Sequence, residues 1–200
     1  MGAVLSTESE AEADNEILQW KAPEYMTKTF PYYLSGYDYD GAPVWIIELG
    51  HWDVRSIVEG GDSLLKEFDR YVDQGLAIIK ASGQNNSTDG YVLIIDGDGY
   101  GLRQASNIRT VYKMIDVIRK FANDAVDGGL KYAFAINVNY VAENMWGVLK
   151  PTAASLTRNF EVFGTNSKVW VPKLLKQIPK DQLPEIYGGS KDHLPIKIYG

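Results

Sequence analysis

Residues 91–101, YVLIIDGDGYG, set Asp96 and Asp98 directly behind an apolar run and thread three glycines between and after them. Carboxylates so placed, at the end of a buried strand, stand where open sheets bind ligands, and their oxygens suit a hard cation such as magnesium. The supporting residues for that chemistry are missing. No G-x-x-x-x-G-K-[ST] stretch occurs, and GDGYG runs on into Leu102 and Arg103, so no spaced glycine fingerprint opens a helix with an acidic partner about twenty residues later. Asp and Gly after a strand are also the ordinary residues of a turn. A turn is therefore expected here, and a metal site is not. The two histidines, His51 and His193, are accompanied by no G-x-S-x-G elbow, and no spacing of Ser, His and Asp suggests a triad. With no cysteine, thiolate chemistry is excluded and a zinc site is disfavoured. The chain is not expected to be an enzyme or to hold a catalytic cofactor. A small metal-dependent α/β enzyme using Asp96 and His51 is the remaining catalytic reading.

The elements that must position these residues follow from composition and periodicity. The 200 residues are 45% apolar and 12% aromatic, enough for one domain with a sizeable core. The net charge is -6, yet Glu8, Glu10, Glu12, Asp14 and Glu16 sit in the first sixteen residues without a Lys or Arg, which leaves the rest nearly neutral. That balance argues against a nucleic-acid partner. No apolar run is long enough for a signal peptide or a membrane span, so a soluble, cytoplasmic protein is expected. The sequons at Asn85 and Asn86 then read as a polar loop. The start, MGAVLST, fits a myristoylation pattern with Gly2 as acceptor and Ser6 as the hydroxyl residue. One acyl chain followed by acidic residues would give only weak, reversible attachment to a membrane surface.

Residues 1–15 are expected to form a disordered acidic tail, and 16–31 a short helical or irregular lead-in interrupted by Pro23. After the Asp40-Gly41 turn, Val44 to Leu49 reads as a buried strand. A helix over 62–82, capped by Asp62, carries Leu64, Leu65, Phe68, Tyr71, Val72 and Leu76 at spacings of three and four. YVLIID is the second strand. A helix over 105–125 has Ile108, Val111, Ile115, Ile118 and Phe121 on one stripe, and YAFAINV is the third strand. In the next helix Val141, Met145, Val148 and Leu149 share a face, with Tyr140 and Trp146 adding aromatic bulk. Alternation of β and α, with strands written as continuous apolar runs, predicts an α/β fold whose sheet is largely parallel and covered by helices.

Four stretches, GYDYDGAPVWIIELGHWD, VLIIDGDGYG, INVNYVAENMWGVLKP and GTNSKVWVPKLLKQIPKDQLPEIYGG, lie in order over roughly 20 to 190 and together resemble the CRAL-TRIO lipid-binding family. His51 to Asp53, HWD, is similar to its tocopherol-transfer branch. The resemblance implies a domain over 32–200 with a sheet floor and helical walls around one hydrophobic pocket, closed by a mobile gate helix at about Tyr140 to Thr157. It also implies that residues 16–31 are the end of the helical module with which members usually begin, and that the jelly-roll domain of some relatives is absent. Around the pocket it places Trp45, Tyr100, Phe134, Tyr140, Phe160 and the gate residues Val141, Met145, Val148 and Leu149. Ile115 and Ile118 are added from the helix stripe. Ile47 beside Trp45, and Ile136 beside Phe134, are choices of strand parity that the sequence alone leaves open. Phosphoinositide-binding members carry a Glu-Arg pair and a Lys at positions that fall here on Gly128, Gly129 and Phe160. The expected ligand is thus a neutral isoprenoid lipid or pigment, a tocopherol, retinoid or carotenoid, handed to and from membrane surfaces. Phospholipid exchange is the alternative.

Overall fold

Val44–Ile47, Tyr91–Ile94 and Ala133–Ile136 are buried at every position, which is possible only for strands covered on both faces. They form the middle of one sheet in the computed structural model, which describes residues 16–85, 90–126, 129–149 and 159–199. β2 (Pro43–Ile47), β3 (Tyr91–Asp96) and β4 (Leu130–Ile136) pair in parallel, with Trp45 opposite Leu93 and Leu93 opposite Ala133. β5 (Phe160–Val162) adds parallel to β4, while β1 (Tyr32–Tyr37) runs antiparallel to both β2 and β6 (Lys197–Tyr199). The order is β5-β4-β3-β2-β1-β6. The mixed α/β architecture read from the sequence is the one the structure has.

Successive side chains of a strand point to opposite faces, so the sheet divides its residues by parity. Trp45, Ile47, Leu93 and Ala133 lie on one face, under α2 (Val54–Glu59), α3 (Asp62–Asn85), α5 (Ile108–Val126) and α6 (Tyr140–Leu149). Val44, Ile46, Val92, Ile94, Phe134 and Ile136 lie on the other, packed on Trp170 and Leu174 of α7 (Ser167–Gln177) and on Leu183 and Tyr187 beyond it. The lead-in joins the first core, since Met26 and Phe30, in and after α1 (Glu24–Thr29), are fully buried there.

Several local expectations are corrected. β2 ends at Ile47, and Leu49–His51 turns as a 3-10 helix. Asp62 is the first residue of α3 rather than its cap; Gly61, at φ +91°, precedes it and accepts from Leu65 N–H at 3.1 Å. The helix expected over 105–125 is two: α4 (Leu102–Ala105) and α5 are separated at Asn107, whose Oδ1 accepts from Thr110 N–H at 3.1 Å and restarts the chain. Ile108, at the head of α5, is consequently exposed, and the buried stripe runs through Met114, Ile115 and Val117.

Two buried carboxylates bind distant segments together. Asp96 is 6% exposed; its Oδ1 accepts from Asp98 N–H at 2.9 Å and Asn137 Nδ2 at 2.8 Å, and its Oδ2 from the Tyr187 hydroxyl at 3.0 Å. Burial pushes the Tyr187 hydroxyl far up from its usual range, so it remains a donor. The two glycines that follow are required: Gly188 sits at φ +83°, and a Cβ on Gly189 would strike the Leu183 carbonyl. Asp38 closes the β1–β2 hairpin by accepting from Asp40 and Ala42 N–H at 2.9 and 2.7 Å, and from Lys131 Nζ and the Tyr132 hydroxyl at 2.7 and 3.0 Å. Burial alone would raise its carboxyl, but Lys131 and the other donors outweigh burial and hold it below the usual carboxylate value.

Tyr187→Phe leaves the ring in place and removes one bond to Asp96, and should lower the unfolding free energy by about 1–2 kcal/mol in a urea titration; an unmoved midpoint would show the bond to be dispensable. Asp38 has a folded value below its unfolded one, so its stabilisation is present above about pH 4 and is lost as pH falls through the lowered value. Melting temperature in Asp38→Asn should therefore fall less steeply than wild type from about pH 5 to pH 2.

Candidate functional site: an apolar cavity beneath α5 and α6

On the face carrying Ile47 and Leu93, β4 offers only Ala133 and Ala135 where β3 offers Leu93 and Ile95, and this shortage of side-chain volume leaves space under α5 and α6. One narrow cavity lies among Ile47, Leu93, Val117, Phe121 and Ala133. A second lies among Tyr100, Met114, Ala135, Ala142 and Met145. Both are partly open to solvent, and Leu49, Ile95, Ile118 and Phe160 line both, so they adjoin along one wall. No Asp, Glu, Lys, Arg or His is among the described lining residues. Trp52 directs its indole N–H to the Pro31 carbonyl at 3.1 Å, and the Tyr100 hydroxyl lies 3.4 Å from Met145 Sδ. Burial raises the Tyr100 hydroxyl above its ordinary value.

Helix α6 forms the outer wall and is fastened at its start. Asn139 Oδ1 accepts from Val141 and Ala142 N–H, both at 3.0 Å, as an N-cap, while its Nδ2 donates to the Tyr100 carbonyl at 2.7 Å. Two residues earlier Asn137 adopts φ +54°, a conformation that Asn tolerates better than most residues, and its side chain reaches Asp96. The β3 turn therefore holds both β4 and the first turn of α6.

The structure brings Ile47, Tyr100, Ile118, Met145 and Phe160 together on the cavity wall. Trp45 shares that face but is committed to an aromatic cluster, 6.0 Å from the Tyr32 ring and 5.7 Å from the Tyr199 ring, with its indole N–H on Ser82 Oγ at 2.9 Å. Ile115 is buried away from the cavity lining, and Val141 is half-buried against the same core. Phe134 and Ile136 are corrected: their parity turns them to the opposite face, into the core under α7. Tyr140 is also corrected, because the first residue of α6 projects outward and is 79% exposed. The side chains of Val148 and Leu149, and residues 150–157 of the expected gate, lie outside the described residues. So does Gly128; Gly129 gives its carbonyl to Tyr91 N–H at 3.0 Å. Sequence reasoning missed Leu93, Ile95, Ala133 and Ala135. The register Ile47–Ile95–Ala135 was the signal that would have found them, and it is a property of the sheet.

The D-G-D-G stretch is a turn. Gly99 takes φ +82°, and a Cβ on Gly50 would strike the Asp98 carbonyl, so the turn lies directly against the segment before His51. Asp96 is spent on its three donors. Asp98 is exposed and pairs with His51 Nε2 at 3.8 Å, and among the described residues no three His, Cys, Asp or Glu gather as a metal set.

A family model described as the CRAL/TRIO domain matches residues 27–189. The chain is 24% identical over 194 residues to Protein real-time of Aedes aegypti, across 93% of its own length and 29% of that protein's. It is 24% identical over 174 residues to the Sec14 cytosolic factor of Schizosaccharomyces pombe, across 84% and 58% respectively. With the phosphatidylinositol/phosphatidylcholine transfer protein SFH7 of Arabidopsis thaliana the identity is again 24%, across 87% of this chain and 32% of that one. The chain thus spans less than two thirds of each of these relatives. The crystal structure of Sfh5 shares the fold, with a TM-score of 0.55 at 14% identity, across 88% of this chain and 59% of that one. The matched span takes in all of β1 to β5, the cavity wall and the glycine pair that follows Tyr187, and the chain accordingly belongs to the CRAL/TRIO domain family, the lipid-binding family that its motifs resemble.

Proposed function

We propose that this chain binds one hydrophobic lipid in the cavity beneath α5 and α6 and carries it between membrane surfaces. The observation that supports this most directly is the lining, which is almost wholly apolar and holds no charged side chain among the described residues. At about 25 cal/mol per Å² of apolar surface removed from water, such a wall supplies affinity for a long hydrocarbon without any catalytic group. The same lining favours a neutral lipid of the tocopherol, retinoid or carotenoid class. A phosphate brought inside would be buried without a cation, at a cost of several kcal/mol, and Phe160 stands where the phosphoinositide-binding members carry a lysine. A second reading, phospholipid exchange, is favoured by the relatives whose names state phosphatidylinositol and phosphatidylcholine transfer. On that reading the headgroup stays at the mouth and only the acyl chains enter.

In both readings α6 is the gate, turning about Asn137–Asn139, where the positive-φ residue and the cap lie. Among the described residues no helix is long and apolar enough to cross a membrane. Acylation of Gly2, which lies outside the described residues, would add a weak attachment to a membrane surface.

Replacing Ala133 and Ala135 together by Leu should fill the cavity from its floor without opening any new surface. Native mass spectrometry of the wild type, purified without detergent, should show one lipid per chain; the double variant should lose about tenfold or more of that occupancy while circular dichroism shows it still folded, with overpacking costing it about 1–3 kcal/mol of stability. An isoprenoid mass supports the neutral-lipid reading and a phospholipid the second, whereas undiminished lipid in the variant would place the binding site elsewhere. Co-expression with an N-myristoyltransferase should add one acyl chain to the wild type and none to Gly2→Ala; an unmodified intact mass for the wild type would remove the acylation proposal and leave lipid binding untouched.

A further inference from the structure

Of the described side chains that line the cavity, only Tyr100 carries a hydroxyl. It is buried, and its acceptor at 3.4 Å is the thioether of Met145, which is among the weakest acceptors a protein offers. The indole of Trp52, the other polar side-chain group on the wall, already donates to a backbone carbonyl. A strong donor is therefore held on a poor acceptor at a buried position, and an oxygen brought to it would gain most of a hydrogen bond. Burial keeps the phenol protonated, as a donor must be.

We propose that the Tyr100 hydroxyl is the polar recognition point of the cavity, donating to a single neutral acceptor oxygen, a hydroxyl or a carbonyl, on the bound lipid in place of the Met145 sulfur. The inference rests on the lipid-binding reading above and narrows its ligand class to singly oxygenated lipids over hydrocarbons of the same size. Anions are disfavoured because one phenol cannot compensate a buried carboxylate or phosphate, and no described lining residue carries a positive charge. The position also ties recognition to the outer wall. Met145 lies on α6, and the Tyr100 carbonyl accepts from Asn139, which caps that helix, so an oxygen taken by Tyr100 releases the side-chain tie to α6 while the cap at its start remains.

The test uses 2-heptadecanone and octadecane, which have the same number of heavy atoms, delivered from cyclodextrin and titrated by tryptophan fluorescence into wild type, Tyr100→Phe and Met145→Leu. Water favours the ketone more than the alkane, so the quantity read is the ratio of ketone to alkane affinity and its change between variants. In Tyr100→Phe that ratio should fall about fivefold to tenfold relative to wild type. In Met145→Leu, which removes the competing sulfur and keeps the phenol, it should rise. A ratio unchanged in Tyr100→Phe, or lowered in Met145→Leu, overturns the assignment of Tyr100 and leaves the cavity reading standing. If wild type binds neither compound, the cavity reading falls and this inference with it.

Discussion

A strand can send a given side chain to only one face of its sheet, and the division of this molecule into a packed core and a cavity depends on that two-residue period. β2, β3 and β4 are buried on both faces, so each alternate residue must be matched by something above or below. On the α7 side the match is dense: Ile46, Ile94 and Phe134 meet Trp170, Leu174 and Tyr187. On the other side Ala133 and Ala135 stand beside Leu93 and Ile95, and the helices above span the gap instead of filling it. A slip of one residue in β4 would bring Phe134 and Ile136 under α5 and α6, close the cavity, and open a void under α7. The cavity is thus a matter of register more than of composition.

That constraint also explains what could and could not be read beforehand. β2, β3, β4 and the three long stretches of helix were legible, because continuous apolar runs and three-four spacing survive without knowledge of neighbours. β5 and β6, three residues each, are too short to carry a pattern, and β1 contains Ser35, Gly36 and a register shift that break one. Every residue of β2 is apolar, and so is the Ala133–Ile136 run of β4, so these runs contain no polar partner to mark the solvent side, and parity was undecidable. Ile47 and Phe134 were equally reasonable choices, and only strand pairing separates them. Tyr140 failed for a different reason. A helix face inferred from Val141 and Met145 does not include the residue at the helix start, which turns outward before the first full turn is complete.

Aspartates at the carboxyl ends of parallel strands commonly face a ligand, and after β3 the carboxylate in that position, Asp96, is engaged by neighbouring segments of the chain. Asp96 is saturated by Asp98, Asn137 and Tyr187, which come from its own turn, from the end of β4 and from the chain after α7. Asn139, next along, is saturated by the head of α6 and the Tyr100 carbonyl. The polar residues at the strand ends are consumed in joining these segments, and with the apolar contacts of Ala142 and Met145 they fix the placement of α6 over the cavity. Hydrogen bonds in this place therefore contribute geometry, and that geometry holds the apolar wall in place. The one group that crosses from the first task to the second is Tyr100, whose carbonyl belongs to the joint and whose hydroxyl belongs to the cavity.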